Sequence, residues 1–169
     1  VRERGFRVLY QPASEIIHHE GMSCGTDLEC GIKKYQRVNN KKFRTKWQEV
    51  LKNEHSVNGV DVFTARDRSK KKKTILVIDH YVPQFDKDAG SRSTFQYLQW
   101  FAESGFNVKF IGDNFYQDEP YTTALQQLGI EVLYGNWYAN NWRKWIKENA
   151  KHLNYIYLHR PHIAPNYID

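Results

Sequence analysis

Thr74-Ile75-Leu76-Val77-Ile78-Asp79-His80 is an almost unbroken aliphatic run closed by two polar, titratable residues. It is too short for a helix core and far short of the roughly 20 apolar residues a membrane span needs. An edge strand would alternate apolar and polar side chains, and this run does not. It therefore reads as a strand covered on both faces, the situation of a parallel sheet with helices on either side.

The residues that follow extend that reading. Tyr81 to Gly90 is a loop containing Pro83. Ser91 to Ser104 carries Phe95, Leu98, Phe101 and Ala102 at helical spacing, with Gly105 placed to end the helix. Phe106–Ile111 predicts a second strand, Pro120–Leu128 a helix stopped by Gly129, and Ile130–Tyr134 a third strand. Trp137–Lys151 then predicts a helix and Tyr155–Leu158 a fourth strand. Strand and helix in strict alternation is the pattern of a doubly wound α/β sheet with right-handed crossovers.

Residues before this region are of another kind. Of the 169 residues, Val1 to Lys73 hold 17 basic and 9 acidic side chains, whereas Thr74 to Asp169 hold 8 and 10. The net charge of +6 thus belongs to the first part. It peaks in Arg66-Asp67-Arg68-Ser69-Lys70-Lys71-Lys72-Lys73, a run read as a solvated linker. That run contains no aromatic residue, as a nucleic-acid surface built on stacking would require, so no nucleic-acid partner is expected. Upstream, Phe6–Gln11 and Ser14–His18 read as short strands, and Gly21, Ser23 and Gly25 mark a loop. Leu28, Ile32 and Tyr35 form one helical stripe. Phe43, Trp47, Val50 and Leu51 form another, with a bend expected at Asn39-Asn40. Cys24 and Cys30 are too few for a disulfide framework and match no zinc spacing, which suits reduced thiols in a cytosolic protein.

Three places could carry chemistry. His18 and His19 close a predicted strand before a Gly/Ser loop, where a neutral imidazole can serve a divalent metal. A metal site needs further ligands, and an ordinary hydrogen-bonded histidine satisfies the same run. Gly90, Ser91 and Arg92 open a helix just past a strand's carboxyl end, where backbone N–H groups and a guanidinium can meet a phosphate. His159 and Arg160 sit at the carboxyl end of the fourth strand, on the same rim. Neither a dinucleotide-binding glycine fingerprint nor a P-loop occurs, which argues against a nicotinamide dehydrogenase or a P-loop NTPase.

Tyr10-Gln11-Pro12-Ala13-Ser14-Glu15-Ile16-Ile17-His18, with Glu20-Gly21, Ser23, Gly25, Gly31, Lys33, Tyr35-Gln36, Asn39-Asn40, Phe43, Lys46-Trp47 and Leu51, resembles the carboxyl end of a family 2, GT-A type glycosyltransferase. Ile75 to Asp79, Val82-Pro83, Asp88 to Arg92, Gly105 to Val108, Leu128 to Val132 and His159-Arg160-Pro161 resemble the Rossmann-like amino-terminal domain of a family 4, GT-B type glycosyltransferase. The resemblance implies three parts: residues 1–65 from a GT-A domain, a basic linker at 66–73, and an incomplete GT-B domain over 74–169. It implies transfer of a sugar from a nucleotide-diphosphate sugar to a glycan or lipid-linked acceptor, in polysaccharide biosynthesis. His18, with His19 as fallback, would help hold Mn²⁺ or Mg²⁺ in a complete GT-A domain. The GT-B part would need no cofactor. Gly90, Ser91 and Arg92 would face donor phosphates or acceptor, with His159 and Arg160 on the cleft rim. The chain opens on Val1 and would be a fragment with half of each active site, inactive alone. A cytoplasmic place, with peripheral contact at the inner face of a membrane, goes with this reading. The alternatives are a basic nucleic-acid-binding or adaptor module and a flavodoxin-like or receiver-like domain. The acidic cluster a receiver needs at its first strand end is missing.

Overall fold

In the computed structural model, residues 4–6, 8, 14–17, 27–29, 31–57, 59–66 and 70–168 are described. The chain divides into two compact units, Val1–Gln48 and Glu49–Asp169.

In the first unit, Ser14 to Ile17 have no regular structure, so the short strand expected there does not form over those residues. An apolar pair, Ile16-Ile17, is too short to hold itself extended without a paired strand. The remainder of that expectation, most of Phe6–Gln11, the Gly21–Gly25 loop, and Cys24 and Cys30 lie outside the described residues. Helix α1 runs Lys34–Glu54 and continues into the second unit. It starts later than the Leu28 stripe suggested, because Gly31 takes a φ of 59° and breaks any helix begun before it. It also passes straight through Asn39-Asn40, with its only non-helical residue at Trp47. Two asparagines cost a helix only about 0.5 kcal/mol each relative to alanine, and the Lys- and Arg-rich neighbours are good helix formers.

The second unit contains short helix α2 (Val62–Arg66), then β1 (Thr74–Asp79), α3 (Ala89–Glu103), β2 (Asn107–Gly112), α4 (Tyr121–Gln127), β3 (Glu131–Val132), α5 (Asn136–Asn149) and β4 (Tyr155–Leu158). The four strands form one parallel sheet in the order β3-β2-β1-β4. The break in strand order falls at β1, which has β2 on one side and β4 on the other. Such a switch point opens a crevice at the strands' carboxyl ends. This α/β architecture agrees with the alternation read from the sequence and is compatible with a Rossmann-like fold.

Strand geometry sends successive side chains to opposite faces. Ile75 and Val77 of β1 and Val108 and Phe110 of β2 join Leu98 of α3 and Leu125 of α4 on one face. Leu76, Ile78 and Ile111 join Trp145 of α5, Ile163 and Phe63 on the other. Every residue of β1 and β2 is buried, which accounts for the continuous aliphatic run. Lys109 is a buried cation among them: it is wholly buried on β2, its ammonium donating to Glu131 and lying 5.0 Å from the Phe63 ring. Phe63 also stacks on His152 at 4.8 Å. Helix α2, which precedes the basic run, is therefore part of the same core as the strands that follow it. The expected boundary at 66–73 falls inside this unit. Lys70 to Lys73 are exposed.

No helix among the described residues is long and apolar enough to cross a membrane.

Candidate functional site

The polar residues that end β1 and β4 meet. Asp79 closes β1 and is only 2% exposed. One carboxylate oxygen accepts from the backbone N–H of His80 at 2.7 Å and from His80 Nδ1 at 2.9 Å. The other accepts from the Thr94 hydroxyl at 2.8 Å and from His159 Nδ1 at 3.0 Å. Arg160 Nε stands 3.4 Å from the first oxygen. Burial by itself would raise the Asp79 pKa, but the bonds from Thr94, His80 and His159 outweigh it and hold the carboxyl below its usual value. An ionised carboxylate only accepts, so both rings present Nδ1–H to it and turn Nε2 away from it. One buried carboxylate thus orients two imidazoles and a guanidinium at the mouth of the sheet.

Arg160 adopts a φ of 85° although Pro161 follows it. A residue before proline normally prefers an extended, negative-φ backbone, and a non-glycine residue in this region is strained by about 1–3 kcal/mol. Its guanidinium lies over the first turn of α3. A Cβ placed on Gly90 would sit 2.4 Å from one terminal nitrogen of Arg160. A side chain at position 90 would push the guanidinium aside, so glycine leaves room for this close approach, and the strained turn at 160 makes it from the other side.

Of the five rim residues singled out in the sequence, the fold brings Gly90, His159 and Arg160 together. Ser91 is turned inward: both its backbone N–H and its hydroxyl bond Asp88, which caps α3, at 2.8 and 2.6 Å. Ser91's hydrogen bonds hold the Asp88 carboxyl below its ordinary range. Arg92 donates to the Phe85 carbonyl at 3.3 Å, away from Asp79. The helix start is thus occupied by the chain's own carboxylate, and the guanidinium left at the rim is that of Arg160, beside the histidines.

Asp79, His80 and Thr94 were not singled out as site residues. The signal for Asp79 was present, since a carboxylate ending an aliphatic strand is either solvated or held by partners. Thr94 had none, because its role depends on where α3 lies against β1. His162 adds a third imidazole, its ring 5.7 Å from that of His80. His18 and His19, the expected metal ligands, lie outside the described residues. Among the described residues no group of three or more His, Cys, Asp or Glu side chains is arranged to hold a metal ion.

Compared with models of protein families, with curated proteins and with solved structures, the chain matches none.

Proposed function

We propose that residues 74–168 form one half of a phosphate-handling cleft in a sugar-transferring enzyme, and that the substrate is a nucleotide-diphosphate sugar or its glycan or lipid-linked acceptor. The observation that carries this reading is Arg160. A strained arginine, laid over Gly90 and only loosely paired with Asp79 at 3.4 Å, sits at the carboxyl ends of β1 and β4. An oxyanion entering there would take the outer edge of the guanidinium as a two-pronged donor. The Nε2 positions of His80 and His159 would face it, as donors when protonated or as acceptors of a hydroxyl proton when not. Asp79 would keep all three side chains in place. The opposite wall would come from a second domain, as the GT-B resemblance implies. The GT-A part, with His18 toward Mn²⁺ or Mg²⁺, belongs to the same proposal.

Titration of the 169-residue chain with UDP and with inorganic diphosphate tests it, with backbone NMR shifts of Gly90 and His159 as readout. Half a cleft should bind in the millimolar range, about 4 kcal/mol. Arg160→Ala should weaken binding about tenfold, the scale of one charge-assisted contact. Micromolar affinity in the chain alone, or binding indifferent to Arg160→Ala, would overturn the reading.

A further inference from the structure

A second concave surface lies between α5 and the C-terminal turn, built from residues the Asp79 rim does not use. Two cavities of about 410 and 440 Å³ share Trp142, Arg143 and Asn166, so they are lobes of one trough. Each lobe is in the size range of small-molecule sites.

The lobes differ in charge. The first adds Lys147, one turn along α5 from Arg143 and on the same helix face. Arg143 lies over the Trp142 ring at 4.9 Å, and Tyr167 braces that ring at 4.4 Å. A cation over the face of an aromatic ring is attracted to it, which helps hold the exposed guanidinium in place. Among the described residues neither Arg143 nor Lys147 has a carboxylate partner. The second lobe adds Asp113, which follows β2. The Tyr167 hydroxyl donates to one Asp113 oxygen at 2.7 Å, which fixes the carboxylate and leaves its other oxygen to accept. Burial first, and then Asp113, push the Tyr167 phenol well up, so it remains a donor at neutral pH.

A ligand spanning the trough therefore meets Lys147 at one end, Arg143 where the lobes meet and a carboxylate acceptor at the other end. Asn166, exposed between them, offers both a donor and an acceptor. A simple anion pairs with Lys147 and Arg143 but offers Asp113 no donor. A neutral sugar satisfies only the second lobe.

We propose that this trough binds a hydroxylated ring bearing an oxyanion, a sugar phosphate or a uronic acid. Its phosphate or carboxylate sits on Arg143 and Lys147, and a ring hydroxyl donates to Asp113. The inference stands on other residues than the nucleotide-sugar reading of the Asp79 rim and does not depend on it.

The test is titration of the 169-residue chain with glucose 1-phosphate, glucuronate, glucose, inorganic phosphate and glutamate, read by the NMR shift of the Trp142 indole N–H. At least one acidic sugar should bind about tenfold more tightly than glucose or phosphate, the contribution of one further charged contact. The tighter of the two acids identifies the oxyanion. Arg143→Ala should weaken that ligand about tenfold and Lys147→Ala severalfold, with thermal melts unchanged because both side chains are exposed. Asp113→Asn should narrow the preference over inorganic phosphate. Equal binding of phosphate, equal binding of glucose, tighter binding of glutamate, no binding at all, or an Arg143→Ala variant with unaltered affinity would each overturn the proposal.

Discussion

Replacing Asp79 by Asn removes the charge at the centre of the rim and keeps its shape. The backbone N–H of His80 cannot change role, so the Asn oxygen must face it and the amide NH₂ must face Thr94 and His159. The Thr94 hydroxyl can rotate, and the His159 ring can switch tautomer to accept. What is lost is charge assistance on four contacts, two to His80, one to Thr94 and one to His159. A bond to a charged group contributes about 1.5–3 kcal/mol against about 0.5–1.5 for a neutral pair, so the gross loss is about 4 kcal/mol. Relief from burying a carboxylate, and screening by water at the rim, bring the net to about 2 kcal/mol. With a urea dependence of about 1.5 kcal/mol per molar, the unfolding midpoint of Asp79→Asn should fall by about 1.3 M at pH 7. The pH dependence has a definite sign. The folded-state pKa of Asp79 is depressed, so its contribution is present above the unfolded value, about 3.9, and disappears as the pH falls through the folded value. The gap between wild type and variant should be constant from pH 7 to about 5 and narrow below about 4. A midpoint within about 0.3 M of wild type at pH 7, or a gap that widens on acidification, would refute the reasoning.

Other outcomes follow from the core and its edges. Phe63→Ala removes the ring between Lys109 and His152. It should destabilise the second unit by about 3 kcal/mol in urea and speed protease cleavage between residues 55 and 73; unchanged stability would mean that α2 does not belong to this core. Glu131→Ala removes the carboxylate to which the buried Lys109 ammonium donates and should lose about 3 kcal/mol, whereas Lys109→Met removes the buried charge beside a partly exposed Glu131 and should change stability by less than about 1.5 kcal/mol. Denaturation curves giving the reverse order would contradict the account of that pair. The Tyr121 hydroxyl donates to Asp86 at 2.6 Å, which pushes its phenol up to about 12. Its contribution to stability is full below the unfolded value near 10 and is lost between about 10 and 12, so Tyr121→Phe should flatten the alkaline limb of the stability curve.

Much of the second unit was legible in its sequence. The unbroken Ile75–Ile78 run demanded burial on two faces, and only a parallel sheet between helices supplies that for consecutive residues. Gly105 and Gly129 marked helix ends, and both take a φ of 85°. The first helix was misplaced because its apolar stripe is weak, and the tertiary packing that normally decides helix boundaries has little to act on there. The sequence could also put Gly90 and His159-Arg160 on one rim, since both follow strands of the same sheet. It could not show that Asp88 and Ser91 close the helix start on themselves, or that Arg92 turns away. Nor could it show that Arg160, 70 residues from Gly90 in the chain, folds back over it. Local pattern determined which segments become strands and helices, because periodicity and capping act within a few residues. The meeting of Asp79, Thr94, His159 and Arg160, the burial of Lys109 beneath Phe63, and the trough beside Trp142 were decided by the tertiary structure. Each depends on contacts between segments that only the strand order β3-β2-β1-β4 brings side by side.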